Sequence, residues 1–137
     1  MKSAVITKPS NIEIMDTPKP QIEEGQILVK SQTVSICGSD TPYFLHERPL
    51  QYPLPEGFPG HECIGIVAET RSNLFKEGDK VLSIPNGDRG FAEYFSSHPS
   101  RTVKIPSLDD KFVIAQPLGT VIHACRKLFQ SILSDPE

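Results

Sequence analysis

The chain has 137 residues, of which 37% are hydrophobic, and this is enough for one domain with its own core. A net charge of −3 without a basic cluster argues against a nucleic-acid partner. No apolar run approaches membrane-spanning length, and three cysteines without paired spacing indicate a reducing compartment, so we expect a cytoplasmic protein without a membrane partner.

The predicted elements are a series of short strands followed by one helix. Runs of β-branched and aromatic residues, separated by Pro, Gly and Asn turn signals, predict the strands. They are expected at Ser3–Thr7, Ile12–Asp16, Gln26–Ile36, Cys63–Glu69, Lys80–Ile84, Phe91–Ser96 and Thr102–Ile105. The third strand is long and does not alternate cleanly, which indicates a bent strand buried partly on both faces. Gly65 in the next strand indicates a bulge or a close approach of backbone.

Two loops between these strands carry turn signals. A proline-rich loop from Pro49 to Pro59 forms either a wall of a pocket or a surface connection. The segment 86–90 contains two glycines, but it lacks the strand-to-helix context of a phosphate-binding loop. We therefore interpret it as a turn.

From Pro117 the spacing of apolar residues changes from that of a strand to that of a helix. Residues from about 117 to 133 are therefore expected to form an amphipathic helix, with Pro117 in its first turn. His123 is expected on the polar face and Cys125 in the packing, so that neither is a good metal ligand. The apolar face consists of Leu118, Val121, Ile122, Cys125, Leu128, Phe129, Ile132 and Leu133.

Two breaks between predicted strands hold side chains that bind metals. Cys37 follows the third strand, and His61 and Glu62 precede the fourth. Thiolate, imidazole and carboxylate are the ligands that zinc prefers, and only a tertiary fold can bring residues so far apart in sequence together. This favours a shaped catalytic site over a small zinc knuckle. On chemistry alone the alternative stays open that Cys37 is a buried structural thiol and His61 a hydrogen-bonded histidine at a strand end. Asp40 could likewise only cap the turn that begins at Ser39.

The segments 37–40 (Cys-Gly-Ser-Asp), 60–62 (Gly-His-Glu) and 77–81 (Glu-Gly-Asp-Lys-Val) together resemble the N-terminal half of zinc-dependent medium-chain alcohol and polyol dehydrogenases. The likeness extends over essentially the whole chain. It implies that residues 1–137 are a mainly β catalytic domain, a GroES-like partly open β-barrel with a C-terminal amphipathic helix. The helix would lead to a nucleotide-binding domain that is missing from this chain. The sequence of the chain contains no glycine fingerprint of a dinucleotide-binding unit.

The resemblance also implies roles for single residues. Cys37 and His61 would bind one catalytic zinc, and Asp40 would hold the other ring nitrogen of His61. Ser39 would lie beside the substrate oxygen and relay its proton. Thr120 would lie near the nicotinamide of the cofactor.

The sequence departs from the family's pattern at three places. Gln116 stands where relatives supply a third zinc ligand as Cys, Asp or Glu, so Glu62 and Gln116 both stay open for that place. Pro42 stands where many relatives have a histidine that passes the proton to solvent, and His46 is either its substitute or an exposed loop residue. The cysteine-rich lobe that holds a structural zinc in many relatives would follow Val81, where this chain has no such cysteines, so no structural zinc is expected.

The implied function is oxidation of an alcohol or polyol, or the reverse reduction of a carbonyl, with zinc polarising the alcohol oxygen and NAD or NADP taking the hydride. The chain alone is expected to be inactive, and a homo-oligomer through the helix is compatible with the sequence. The substrate and the choice between NAD and NADP stay open. Two other classes are a non-catalytic GroES-like module and a zinc-free reductase of the same superfamily. The first has no need for the clustered site residues, and the second generally lacks the Cys and His pair.

Overall fold

The computed structural model describes residues 1–45 and 50–133. Its strands are β1 (Lys2–Lys8), β2 (Asn11–Asp16), β3 (Ile27–Ser35), β4 (Glu62–Thr70), β5 (Lys80–Ser83), β6 (Tyr94–Ser97) and β7 (Thr102–Lys104). Its α-helices are α1 (Thr41–Leu45) and α2 (Ala115–Leu133). The seven predicted strands and the long helix are thus confirmed, although β6 begins at Tyr94, three residues later than predicted, and α2 begins two residues earlier than Pro117.

The strands form two antiparallel sheets. β1 and β2 make a hairpin, and the other strands form a five-stranded sheet in the order β6-β3-β4-β5-β7. An isolated bridge between Ser3 and Ala92 connects the hairpin to the segment before β6. The predicted mainly β fold with a C-terminal helix is confirmed, and no closed barrel forms among the described residues.

The core lies on both faces of the five-stranded sheet. One buried cluster consists of Ile27, Val29, Cys63, Val67, Val81 and Phe95, and a second consists of Ile64, Leu82 and Val113. Because successive side chains of a strand point to opposite faces, the central strand β4 contributes Cys63 and Val67 to one cluster and Ile64 to the other. Burial of each large apolar side chain contributes about 1.5–3 kcal/mol relative to its exposure. This two-sided packing fixes the ends of β3 and β4, where the metal-binding side chains lie.

Strand β3 is bent, as its pattern predicts. Its register with β4 shifts between Leu28 and Val29 and again between Ser31 and Thr33. Opposite the second shift, a Cβ atom on Gly65 would lie 2.2 Å from the carbonyl oxygen of Lys30. Only glycine therefore permits the two backbones to approach so closely here.

We expect Gly65→Ala to lower the free energy of unfolding by about 2–4 kcal/mol, because the new methyl group forces two paired strands apart. Urea unfolding followed by circular dichroism measures the loss. Gly119→Ala in α2 is the matched control, since no atom lies within 4 Å of a Cβ built there. It should be neutral or stabilising by up to about 1 kcal/mol. Equal unfolding midpoints for the two variants would contradict the close-approach argument.

The apolar face of α2 is exposed, which corrects one prediction. Residues 118–130 are all exposed, so Cys125 lies at the surface and not in the packing. Phe112 and Val113, in the turn before the helix, already cover the adjacent face of the sheet. The helix is therefore not needed to bury that face. The side chains of Ile132 and Leu133 lie outside the described part of the structure.

Among the described residues, neither helix is long and apolar enough to span a membrane.

Candidate metal centre

Cys37 is positioned by a turn that follows directly on β3. Its backbone is extended, and residues Gly38–Asp40 then form one 3-10 turn. The backbone N–H of Cys37 donates to Oδ2 of Asp40 at 2.9 Å, and the N–H of Asp40 donates to the carbonyl of Cys37 at 3.0 Å. The carboxylate of Asp40 is almost fully buried. This reciprocal pair fixes the backbone that carries the thiol.

His61 lies immediately before β4, and both of its ring nitrogens have near neighbours. Nδ1 is 2.9 Å from the carbonyl oxygen of Pro59 and 3.3 Å from Oδ1 of Asp40. Nε2 is 3.5 Å from the hydroxyl oxygen of Ser39. Since a carbonyl can only accept, Nδ1 carries the ring proton in this arrangement. The lone pair of Nε2 is then available to a metal.

Oδ1 of Asp40 is a buried oxygen without a hydrogen-bond partner. Such atoms are rare in folded proteins and usually indicate a functional or strained group. A small rotation of the His61 ring would move the Nδ1 proton from Pro59 to this oxygen, since both acceptors lie within 3.3 Å. The unpaired oxygen therefore fits a carboxylate that orients a ligating histidine.

Glu62 is the first residue of β4 and is only 5% exposed. Ser35 at the end of β3 is its partner in the strand register, and the Ser35 hydroxyl donates to Oε2 of Glu62. A buried carboxylate needs compensation by hydrogen bonds, a cation or a metal. Pairing of β3 with β4 thus places Glu62 beside the residues that follow β3.

The structure brings three of the predicted ligands together. Ligand atoms of Cys37, His61 and Glu62 all lie within 4.8 Å of one another. A tetrahedral zinc separates its ligand atoms by about 3.3–3.6 Å, so shifts on the order of 1 Å would close the site. Thiolate and carboxylate would together neutralise the ion. The donor set and its spacing therefore fit zinc.

A cavity of about 300 Å³ adjoins this cluster. Its walls are formed by Ser39, Asp40, Tyr43, Phe58, Pro59, His61, Ile84, Asp88, Arg101 and Gln116. Gln116 thus shares the cavity with His61, whereas Thr120 lies one turn further along α2, exposed, with its hydroxyl 3.5 Å from the Gln116 carbonyl. Phe58 and Pro59 confirm that the proline-rich loop forms a pocket wall, although Pro49 and His46 lie outside the described residues.

Four residues of this wall were not predicted from the sequence to lie at the site, namely Tyr43, Ile84, Asp88 and Arg101. Asp88 belongs to the segment interpreted as a turn, and residues Asn86–Asp88 do form one. The turn signal predicted the local structure and gave no sign that Asp88 reaches the cavity. A charged residue beside the Asn-Gly pair was the one available hint.

Burial raises the pKa of Asp40 above its ordinary value, although the Cys37 N–H and the charge of His61 oppose this. Burial lowers the pKa of His61, but hydrogen bonds to the Pro59 carbonyl and the Cys37 side chain, with the charges of Asp40 and Cys37, outweigh it. The pKa of His61 therefore lies above its usual range. The two residues form one electrostatic unit, in which each stabilises the charge of the other.

The three cysteines occupy three different environments. Cys37 is half-buried in the cluster, Cys63 is buried in the core, and Cys125 is exposed on α2. Burial strongly raises the pKa of the Cys63 thiol, and the nearby charge of Glu62 adds to this. Because a metal binds the thiolate, Cys63 is a poor ligand despite its position next to Glu62. Cys37 alone combines access with the other ligands.

Comparison with known proteins gives one consistent result. The profile of the alcohol dehydrogenase GroES-like domain matches residues 23–107, more than half of the chain. Sorbitol dehydrogenase of Bacillus subtilis is 38% identical over 96 residues, covering 68% of this chain and 27% of that protein. L-threonine 3-dehydrogenase of Bacillus velezensis is 37% identical over 144 residues, covering 80% of this chain and 41% of that protein.

A solved structure agrees with these sequences. A mycobacterial protein complexed with NADPH superposes with a TM-score of 0.64 at 26% identity, covering 79% of this chain and 33% of its own. The chain thus spans between about a quarter and two fifths of the relatives that it matches. The resemblance drawn from the sequence motifs is confirmed. The chain belongs to the medium-chain alcohol dehydrogenase family of oxidoreductases, through its GroES-like domain.

Proposed function

We propose that the chain is the catalytic zinc-binding domain of an NAD(P)-dependent alcohol or polyol oxidoreductase. The observation that carries this proposal is the meeting of Cys37, His61 and Glu62 beside a cavity that also contains Ser39. Cys37 and His61 would hold one zinc, with Glu62 in the third place and Gln116 as its alternative on the same cavity. We also place the protein in the cytoplasm, with the unpaired cysteines as support.

A bound zinc would supply Lewis acidity, which favours ionisation of an alcohol near neutral pH. The residues of the chain would transfer the substrate proton and exclude water. Ser39 is exposed and 3.5 Å from Nε2 of His61, so its hydroxyl can accept the substrate proton and pass it to solvent. Pro42 cannot titrate, so the relay would run directly from Ser39 to water. Phe58 and Ile84 are apolar parts of the cavity wall and would exclude water there.

Hydride transfer requires a nicotinamide, which the proposal assigns to a separate nucleotide-binding domain. The mycobacterial relative was solved in complex with NADPH, which supports a nicotinamide cofactor. Thr120, close to Gln116 on the first turns of α2, would face that cofactor.

Cobalt substitution tests the proposed ligand set. Loading the chain with Co²⁺ should produce a thiolate-to-metal absorption band and the intense visible bands of a tetrahedral ion, because Cys37 is a ligand in the proposal. Weak bands of an octahedral ion without thiolate absorption would exclude this centre. That outcome would favour the non-catalytic module or the zinc-free reductase.

Asp40→Asn should weaken zinc binding or activity by roughly 10–100-fold, since the amide cannot orient His61 as a carboxylate does. Chelator competition measures the affinity. Asp79→Asn is the matched control, because Asp79 is also largely buried in its side chain but pairs with Lys104, at 2.8 Å, outside the metal-site cluster. If Asp40→Asn leaves the affinity unchanged and lowers only the thermal stability, Asp40 serves the backbone of Cys37 and not His61.

A further inference from the structure

An ion pair stands in the wall of the cavity that contains Ser39 and His61. Nη2 of Arg101 lies 3.5 Å from Oδ1 of Asp88, and their side chains are 44% and 43% exposed. Both residues face the cavity together with Gln116. Neither takes part in the proposed metal centre, so the pair is available for another role at the same site.

The fold holds both members of the pair by their backbones. The carbonyl of Arg101 accepts from the N–H of Ile84 at 3.0 Å, and the N–H of Arg101 donates to the carbonyl of His98 at 2.9 Å. The N–H of Asp88 donates to the carbonyl of Pro85 at 3.2 Å. Asp88 itself has a φ of 55°, a left-handed conformation that aspartate tolerates better than most residues. The carboxylate is thus presented by a constrained turn.

The pair offers far more hydrogen-bonding capacity than it uses on itself. A guanidinium has five N–H donors, and a carboxylate accepts at about four sites. A single contact of 3.5 Å occupies a small part of this capacity. A ligand that binds across the pair must therefore both donate to Asp88 and accept from Arg101.

We propose that the Asp88–Arg101 pair binds the vicinal hydroxyl groups of a polyol substrate. This inference rests on the function proposed above, and it selects polyols among the alcohols that the cavity could receive. Each hydroxyl group donates one hydrogen bond and accepts others, so two adjacent hydroxyls match a fixed acceptor beside a fixed donor. The amide of Gln116 provides the same combination of donor and acceptor on the same cavity.

The competing ligand for such a pair is a zwitterion, such as an amino acid with a hydroxyl group. Its ammonium and carboxylate would have to give up strong hydration shells and would compete with the existing ion pair for Asp88 and Arg101. Hydroxyl groups bind with the pair intact. Among the other polar wall residues, Asp40 and His61 belong to the proposed metal centre. Ser39, Tyr43 and Gln116 offer hydroxyl and amide groups, which also suit the hydroxyl groups of a ligand.

The size of the cavity limits the ligand. Its volume of about 300 Å³ lies at the lower end of the range of small-molecule sites, so it suits a molecule of a few carbons. A hydrocarbon alcohol of that size would fill the space beside Phe58 and Ile84. It would also strip water from Asp88 and Arg101 without replacing the hydrogen bonds, which costs binding energy.

The test uses xylitol, 1-pentanol and L-threonine as probes of the zinc-loaded and zinc-free chain, with binding measured from NMR chemical shifts of the ¹⁵N-labelled protein. Xylitol and 1-pentanol both have five carbons and differ in their vicinal hydroxyls. We expect Arg101→Gln to weaken xylitol binding roughly tenfold and 1-pentanol binding less than twofold. Asp88→Asn should weaken xylitol in the same direction. Arg89→Gln is the control, because Arg89 pairs with Glu56 at 2.9 Å and does not line this cavity.

Every outcome of this experiment decides the proposal. Xylitol binding that is absent, unchanged in Arg101→Gln, or equally reduced in Arg89→Gln overturns it, and so does tighter binding of L-threonine than of xylitol. The zinc-free arm separates this inference from the proposed function. If no zinc binds but Arg101→Gln still weakens xylitol binding, the proposed metal centre is wrong and the polyol site at Asp88 and Arg101 is supported. If zinc binds but Arg101→Gln leaves xylitol binding unchanged, the metal centre is supported and the polyol site is wrong.

Discussion

Cys37→Ser should reduce the zinc retained by the purified chain from about one equivalent to less than about a tenth. The thiolate is the strongest zinc ligand of the cluster, and a serine hydroxyl stays protonated at neutral pH and binds zinc weakly. His61 and Glu62 alone would leave two ligands, too few for a stable tetrahedral site. Elemental analysis after purification without chelator, and again after reconstitution, measures the content.

Cys125→Ser is the matched control for this result. Its thiol is exposed on α2, outside the cluster, so its loss should leave the zinc content unchanged. If Cys37→Ser keeps a full equivalent at unchanged affinity, the metal lies elsewhere and the proposed centre is wrong. If Cys37→Ser does lose the zinc, Glu62→Gln and Gln116→Ala distinguish the two candidates for the third ligand. Only loss of the true ligand lowers the zinc affinity.

The sequence alone could predict the strands, because the signals involved are local. Turn signals at Pro, Gly and Asn separate the β-branched runs, and the bend of β3 follows from its broken alternation. Gly65 marked a close backbone approach, which is confirmed because a Cβ atom built on Gly65 would lie 2.2 Å from the carbonyl oxygen of Lys30. The boundary of β6 was missed because residues 91–93 form bends and one isolated bridge instead of a regular strand. Their backbone hydrogen bonds go mostly to β1 and to Gly57, outside the five-stranded sheet.

The meeting of the metal-binding residues could not be predicted from periodicity. Cys37 and His61 are brought together by the pairing of β3 with β4, in which Ser35 lies opposite Glu62. The register between distant strands depends on the packing of the whole core, which the sequence does not show directly. Residue chemistry alone therefore left open that Cys37 is a structural thiol, and only the family resemblance favoured a metal site. The Asp88–Arg101 contact is likewise tertiary. No local pattern shows that two turns meet at one cavity.

The second large effect that we expect arises from the exposed apolar face of α2. Leu118, Val121, Ile122, Leu128 and Phe129 are between 52% and 62% exposed. Soluble monomers rarely expose contiguous apolar patches of more than a few hundred Å², and such patches usually mark an interaction surface. We therefore expect the isolated chain to self-associate through α2, or α2 to fray.

Phe129→Asp should convert a self-associated chain to the monomer in light scattering, because a charge in the apolar stripe cannot be buried between two copies without a partner. Lys127→Asp is the matched control, since it introduces the same carboxylate on the polar face of the same helix and should leave the mass unchanged. Hydrogen exchange distinguishes the alternatives. A frayed helix exchanges rapidly in a monomer, whereas an associated helix is protected in a concentration-dependent way. A monomeric parent chain with a fully protected α2 would contradict both, since the helix would then be stable with its apolar face in water.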